Sequence, residues 1–489
     1  MPIGPHPLAA WNPDDLRRTA HRVADMIADY LQGVPQQPVF TPVPSAAADR
    51  FAGAPVPRRG LSADAILDEF AETIAPYPFG NGHPRFWGWV NSPPAVIGIF
   101  AEALAAAMDP SVAGGNHAAV HLERQVVRWF AEITGLPRSA MGLLVSGGSM
   151  ANLTALAAAR HANAGFDVRA HGLQRRPERL VVYMSQEGHG CIRKAVELLG
   201  LGTDALRVIP VNERFEMRVD ALARAIEQDL RDGVRPLAVV ANAGTVNSGA
   251  IDPIREIAHV CREGHVWLHV DGAYGAAAIL SRTFHDAVEP IALADSIALD
   301  PHKWLCVPVE AGLVLVRDGD ALRAAFSLVP AYLRTDGDPH GVGGPPWFSE
   351  YGFQQSRGFR ALKVWMALKY FGLEGYAGAL DHDIELARYL AARVSEDPGL
   401  QLMAPPSLSI VCFRAVPPGA RLSDEALDVL NKTVLEQLQL GGRAFVSGTV
   451  LAGRFVLRAC FVNPLSSQAD VDAMLAAVKE LAEGNAPQA

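Results

Sequence analysis

Seven short apolar segments, at 143–145, 180–184, 207–211, 237–241, 267–270, 296–299 and 313–316, punctuate the middle of the chain, and amphipathic stretches separate them. Each has the length of a strand rather than of a buried helix. The stretches between them at 151–162, 191–199, 219–230 and 253–261 carry apolar residues at helical spacing. Buried strands alternating with helices predict an α/β fold, a mainly parallel seven-stranded sheet covered on both faces.

The flanks read differently. Residues 11–27 read as a helix opened by Asn12-Pro13-Asp14, and 61–74 as another with Ser62 as its N-cap and Ile66, Leu67 and Phe70 on one face. Between them, prolines at 35, 38, 42, 44, 55 and 57 make 34–57 too Pro-rich for a helix, so an extended arm is expected. The most apolar stretch, 95–108, carries Glu102 and falls short of the roughly 18–20 residues that span a bilayer; a buried helix is expected there. After Arg357 a helical run through Tyr370 gives way to strand-like 408–413 and 455–460 with flanking helices, a smaller α+β domain. The division that follows is an N-terminal helical arm and dimerisation segment over 1–85, a large α/β domain over 86–375 and a small C-terminal α+β domain over 376–489.

Composition narrows the function. With 489 residues, 49% of them hydrophobic, the chain can bury a large core and is not a disordered protein. The 43 basic and 52 acidic residues give a net charge of -9 with no long like-charge block, so no nucleic-acid partner is expected. Five scattered cysteines without a CxxC pair argue against disulfides and a structural zinc. No basic-then-apolar leader is seen, and a cytoplasmic protein with no membrane partner is expected.

In an open parallel sheet, ligands collect beyond the carboxyl ends of the strands, and three such positions carry chemistry. Ser146-Gly147-Gly148-Ser149 follows the first apolar segment and opens a helix, an arrangement whose free N–H groups hold a phosphate. A Gly turn with a Ser cap is the ordinary alternative, and the GK[ST] ending of a Walker loop is missing. Asp271 closes an otherwise apolar strand, where a carboxylate needs a cation such as a protonated ring nitrogen opposite it; capping a helix or pairing with an arginine would also serve. Lys303 stands just past a strand between His302 and Trp304, flanks that favour a desolvated amine of lowered pKa over an exposed turn lysine.

Together these are the parts that hold pyridoxal phosphate: a phosphate cradle, Lys303 to form the Schiff base, and Asp271 to keep the pyridine nitrogen protonated. At this point the sequence resembles the group II pyridoxal-phosphate-dependent amino acid decarboxylases of the aromatic L-amino acid decarboxylase type. The resemblance rests on His-Val-Asp-x-Ala-Tyr at 269–274, Asp-Pro-His-Lys-Trp at 300–304, Gly-Gly-Ser-x-Ala-Asn-Leu at 147–153, His-Pro-Arg-Phe at 83–86 and Ser-Arg-Gly-Phe-Arg-Ala-Leu-Lys-Val-Trp at 356–365.

The resemblance implies the fold-type-I architecture of PLP-dependent transferases (aspartate aminotransferase-like), a homodimer with active sites at its interface, and an amino acid as the small-molecule substrate. It implies Lys303, Asp271, His189 and Tyr332 as catalytic residues, His189 stacking on the cofactor ring and Tyr332 returning a proton to Cα. Gly148, Ser149, Thr245, Ala273 and His302 join them around the cofactor. Trp87, Trp89, Ser111 and Arg357 are implied in the substrate pocket, with Phe79 and Phe86 nearby; the aromatic rings favour an aromatic amino acid. Residues 328–346, broken by glycine and proline, resemble the family's mobile catalytic loop.

Two positions depart from the pattern: Met150 replaces a usual Glu and Gly358 a usual Arg, which leaves the particular substrate open. Aldehyde synthases, lyases and aminotransferases on the same fold, and decarboxylases of histidine or glutamate, stay open as alternatives, as does a non-catalytic protein that retains the fold. A nicotinamide oxidoreductase lacks its GxGxxG, and a serine hydrolase its GxSxG. His117 and His121 share a helical face but lack a third ligand, so no metal is expected.

Overall fold

The computed structural model describes residues 12–174, 179–328, 344, 347–419 and 422–486. Among them lie twelve strands: β1 Phe86–Trp87, β2 Met141–Val145, β3 Arg179–Ser185, β4 Leu206–Ile209, β5 Val234–Asn242, β6 Trp267–Asp271, β7 Ser296–Leu299, β8 Gly312–Val316, β9 Leu400–Leu402, β10 Ile410–Ala415, β11 Phe445–Leu451 and β12 Arg454–Cys460. Each of the seven apolar segments supplies one strand of a single sheet, in the order β2-β8-β7-β6-β5-β3-β4. All neighbours run parallel except at β8, which opposes both β2 and β7. Side chains of β6, β7 and β8 are buried on both faces, which is why these runs are continuously apolar rather than alternating.

The helices Gly148–Asn163, Gly190–Leu198, Val219–Arg231 and Ile254–Glu263 cover this sheet close to where periodicity places them. A second sheet, β1-β11-β12-β10-β9, takes its edge strand from far upstream: Phe86 and Trp87 pair in parallel with Phe445 and Val446. The helix Arg360–Glu396 joins the two cores, burying Val364 and Leu380 in the first and Leu386 and Leu390 in the second. It extends well past the expected end near Tyr370, and Gly372, at φ 65° and ψ 173°, breaks its helical path.

Two expectations for the flanks are corrected. The arm over 34–57 contains a helix, Ser45–Gly53, because its prolines cluster on either side of a Pro-free stretch and Pro44 sits at the N-cap, where proline is tolerated. The apolar helix Val96–Met108 is not buried: only Gly98 and Ala101 are, while Val96, Phe100, Leu104 and Met108 stay exposed on the isolated chain. The helices Pro13–Gly33 and Ala63–Glu69 likewise bury no residue, although Asn12 and Ser62 cap them as read from the sequence. No helix among the described residues is long and apolar enough to cross a membrane.

Candidate active site

The carboxyl ends of β2, β5, β6 and β7 converge on a cleft of about 420 Å³. Its wall includes Gly148, Ser149, His189, Asp271, Ala273, His302 and Lys303, all expected there, together with Asn152, Asn242 and Asp300. Asp271 ends β6 opposite Asn242 at the end of β5, and Asp300 follows directly on β7.

The phosphate-type corner is built by close approach. A Cβ at position 148 would stand 2.9 Å from both Ala273 Cβ and Asp300 Oδ2, so only glycine lets the helix start sit this deep. Gly147 offers no side chain to cap the helix, which leaves its first N–H groups for a ligand.

Lys303 Nζ lies 3.1 Å from Asp300 Oδ2. Burial pushes the amine's pKa down, but the carboxylates of Asp300 and Asp271 pull harder, and it stands above the ordinary lysine value. This corrects the lowered pKa expected from its apolar flanks. Trp304 fixes the backbone beyond Lys303: its indole N–H donates to Asp383 Oδ2 at 2.8 Å and its ring stacks on Tyr274 at 4.9 Å.

Both histidines of the cleft are held neutral. Desolvation lowers His302, whose Nδ1 accepts from Ala311 N at 3.0 Å and so leaves the proton on Nε2. His189 is likewise lowered by desolvation, against the opposing pull of Asp271, and its Nδ1 accepts from Cys191 N at 3.2 Å. Cys191 lines the cleft as a thiol, pushed up to about 12 by burial. Asp271 is anchored from two sides: Oδ2 accepts from Asn152 Nδ2 at 3.1 Å and Oδ1 from Ala273 N at 3.2 Å.

Other expected residues lie elsewhere. Thr245 is adjacent but turned into its own loop, with Oγ1 bonded to Ser248 Oγ at 3.0 Å and accepting from Ala250 N. Trp87 is 0% exposed in the second core, and its N–H donates to Ser466 Oγ. Arg357 is buried beneath β2, paired with Glu123 and donating to the carbonyls of Val112 and Leu144, so its guanidinium braces the strand instead of facing a substrate. Ser111 sits on the surface, and Trp89, 48% exposed, stacks on Phe79 at 5.6 Å beside Val90, which does line the cleft. Tyr332 and most of the glycine- and proline-rich stretch around it lie outside the described residues. His121 Nε2 bonds Asn116 Oδ1, and no group of three metal-ligating side chains occurs among the described residues.

Asn152, Asn242 and Asp300 carry the site without having been singled out as site residues. Helical spacing gives the signal for the first, since Asn152 lies four residues, about one turn, after Gly148. Position after a strand gives it for the others.

The donor set fits pyridoxal phosphate: an uncapped helix start for the phosphate, an amine in reach, and a buried carboxylate at the floor. A family model described as the pyridoxal-dependent decarboxylase conserved domain matches residues 48–416. An aromatic-L-amino-acid decarboxylase of Bacillus atrophaeus is 34% identical, with 96% of each chain covered. A phenylacetaldehyde synthase of Arabidopsis thaliana is 28% identical over 95% of each. Among solved structures, Oryza sativa TDC with PLP and tryptamine matches with a TM-score of 0.90 and 28% identity, covering 99% of this chain and 100% of that one.

Proposed function

Because the chain belongs to the pyridoxal-dependent decarboxylase family, and is a pyridoxal-phosphate-dependent amino acid carboxy-lyase, we propose that it converts an aromatic L-amino acid to its amine and carbon dioxide. The observation that carries the choice of substrate is that the half-exposed rings of Phe79 and Trp89 stack on one another next in sequence to Val90, which lines the cleft. A flat apolar side chain gains most against such a surface.

The roles are those the sequence resemblance implies, and the cleft residues among them support it by their position. The helix start at Gly148 and Ser149 would hold the phosphate, and Ala273, Thr245 and His189 would flank the ring. Asp271, kept in place by Asn152 and Ala273, would hold a proton on the ring nitrogen. When bound, pyridoxal phosphate supplies the sink for the electron pair left as the carboxyl group departs. Lys303 would attach the cofactor through its amine, and Asp300 holds that amine when it is free. His302, with its proton on Nε2, faces the same carboxylate at 3.8 Å.

For the proton returned to Cα we propose Tyr332, on the sequence resemblance alone; a phenol is a competent acid there. The phenylacetaldehyde synthase relative keeps an aldehyde-forming reading alive, and product analysis decides it. Amine equal to carbon dioxide supports decarboxylation; aldehyde in its place would overturn it.

We also propose a homodimer, an N-terminal arm over 1–85, a large domain over 86–375 and a small domain over 376–489. The exposed Leu16, Ile66, Phe70, Phe100, Leu104 and Met108, on helical segments that bury few residues or none in the isolated chain, support the dimer.

A further inference from the structure

Beneath Asp271 runs a buried chain of hydrogen bonds that the proposed chemistry does not use. Trp267, His269 and Asp271 alternate along β6 and so share one face of the strand. Trp267 Nε1 donates to Ser296 Oγ at 2.8 Å; Ser296 Oγ meets His269 Nδ1 at 2.8 Å; His269 Nε2 meets Asn152 Oδ1 at 2.6 Å; and Asn152 Nδ2 reaches Asp271 Oδ2 at 3.1 Å. His269, Ser296 and Asn152 are at most 1% exposed, so no water competes for these partners.

The carboxylate end fixes the direction of every bond. An ionised Asp271 only accepts, so Asn152 presents Nδ2 to it and turns Oδ1 towards His269. That oxygen also only accepts, so His269 carries its proton on Nε2. Nδ1 is then an acceptor, Ser296 donates its one hydroxyl proton to it, and the Trp267 N–H takes a remaining Ser296 lone pair. Desolvation lowers the His269 pKa to about 4, consistent with a neutral ring in this chain.

We infer that His269 is a positioning residue: its Nε2–H satisfies the Asn152 amide oxygen at the far end from Asp271, and so holds the amide in the place from which Nδ2 fixes the Asp271 carboxylate towards the cofactor's ring nitrogen. Reversing the amide would set its oxygen against the carboxylate and its NH2 against the imidazole N–H. Removing the imidazole leaves the buried Asn152 oxygen without its donor, and the amide, held from one end only, no longer locks Asp271. The inference rests on the proposed role of Asp271.

The test uses holoenzyme labelled with 15N-histidine and loaded with cofactor labelled at the ring nitrogen. The wild type shows His269, assigned by its loss in His269→Gln, as the Nε2–H tautomer, and the ring nitrogen as protonated. In His269→Leu the ring-nitrogen signal moves towards the unprotonated range and the cofactor dissociation constant rises roughly tenfold, the consequence of one orphaned buried acceptor. His269→Gln, whose side chain still donates, restores both at least in part. Ser296→Ala, a smaller change that serves if His269→Leu does not fold, moves the histidine and ring-nitrogen signals in the same sense.

An Nδ1–H tautomer in the wild type would overturn the inference. So would an unmoved ring-nitrogen signal in folded His269→Leu or in Ser296→Ala, or a His269→Gln protein as impaired as His269→Leu. An unprotonated ring nitrogen in the wild type, with the Nε2–H tautomer present, would instead locate the failure in the reading of Asp271 and take the inference down with it.

Discussion

Asp300 Oδ2 lies 3.1 Å from Lys303 Nζ, and the carboxylate holding the amine is itself only 2% exposed. Asp300 Oδ1 is buried and has no hydrogen-bond partner among the described residues, so the carboxylate's one close cation there is the lysine. The substitution Asp300→Asn leaves Asp271 as the main group opposing burial, and the Lys303 pKa falls. In cofactor-free protein at pH 8, the Asp300→Asn variant therefore acylates at Lys303 faster than wild type, by roughly tenfold for each unit of the fall. Peptide mapping of the acylated lysine measures it; an unchanged rate would remove Asp300 from this role.

Asp271→Asn keeps the shape and loses the charge. Ring-nitrogen protonation is lost with it, and kcat/KM falls by roughly 10²–10³, the scale of removing one preorganised electrostatic partner. Cofactor retention, read by visible absorbance, separates this from simple loss of binding.

Arg357 and Glu123 form a pair at most 1% exposed on either side chain, sequence-remote and braced against β2. Arg357→Ala leaves Glu123 buried without its cation, and chemical denaturation is expected to show a loss of about 3–5 kcal/mol. KM of the folded remainder stays within about twofold, since a change of about 0.4 kcal/mol corresponds to a factor of about two. A large KM effect with little lost stability would return Arg357 to the substrate pocket.

Asp383 accepts from the Trp304 N–H, and its burial raises the carboxyl pKa to about 8. Between its unfolded value near 4 and about 8, the folded protein holds a proton that the unfolded chain has released. This group's contribution is thus complete at low pH and falls by up to about 1.4 kcal/mol per pH unit as pH rises through that window. Asp383→Asn cannot titrate, so the wild-type slope of unfolding free energy against pH exceeds the variant's in that direction. Parallel slopes would show Asp383 to be ionised in the fold.

The strands were legible because burial on both faces leaves an unbroken apolar run, as in 296–299, where reading and structure coincide. Lys303 and Asp271 were legible because each stands where an apolar strand stops. The brace between Arg357 and Glu123 was not, because a buried ion pair joining residues 234 apart leaves no local pattern. Trp87 misled for a related reason: an indole reads alike in a pocket and in a core, and only its pairing with β11 places it in the second. The helix Ser45–Gly53 is hidden in the sequence because prolines lie on both sides of it, and the window as a whole is Pro-rich although the helix itself contains none. Asn152 and His269 carried motif letters, yet their mutual contact exists only once β6 and the helix Gly148–Asn163 are packed.

The decisive measurement is carbon dioxide release from L-tryptophan, L-tyrosine, L-phenylalanine, L-dihydroxyphenylalanine, L-histidine and L-glutamate by wild-type holoenzyme and by Lys303→Ala. Aromatic decarboxylation through Lys303 predicts kcat/KM for at least one of the first four at least tenfold above histidine and glutamate, amine released one for one, and loss of turnover in Lys303→Ala. Preference for glutamate or histidine, or undiminished turnover without Lys303, would contradict it.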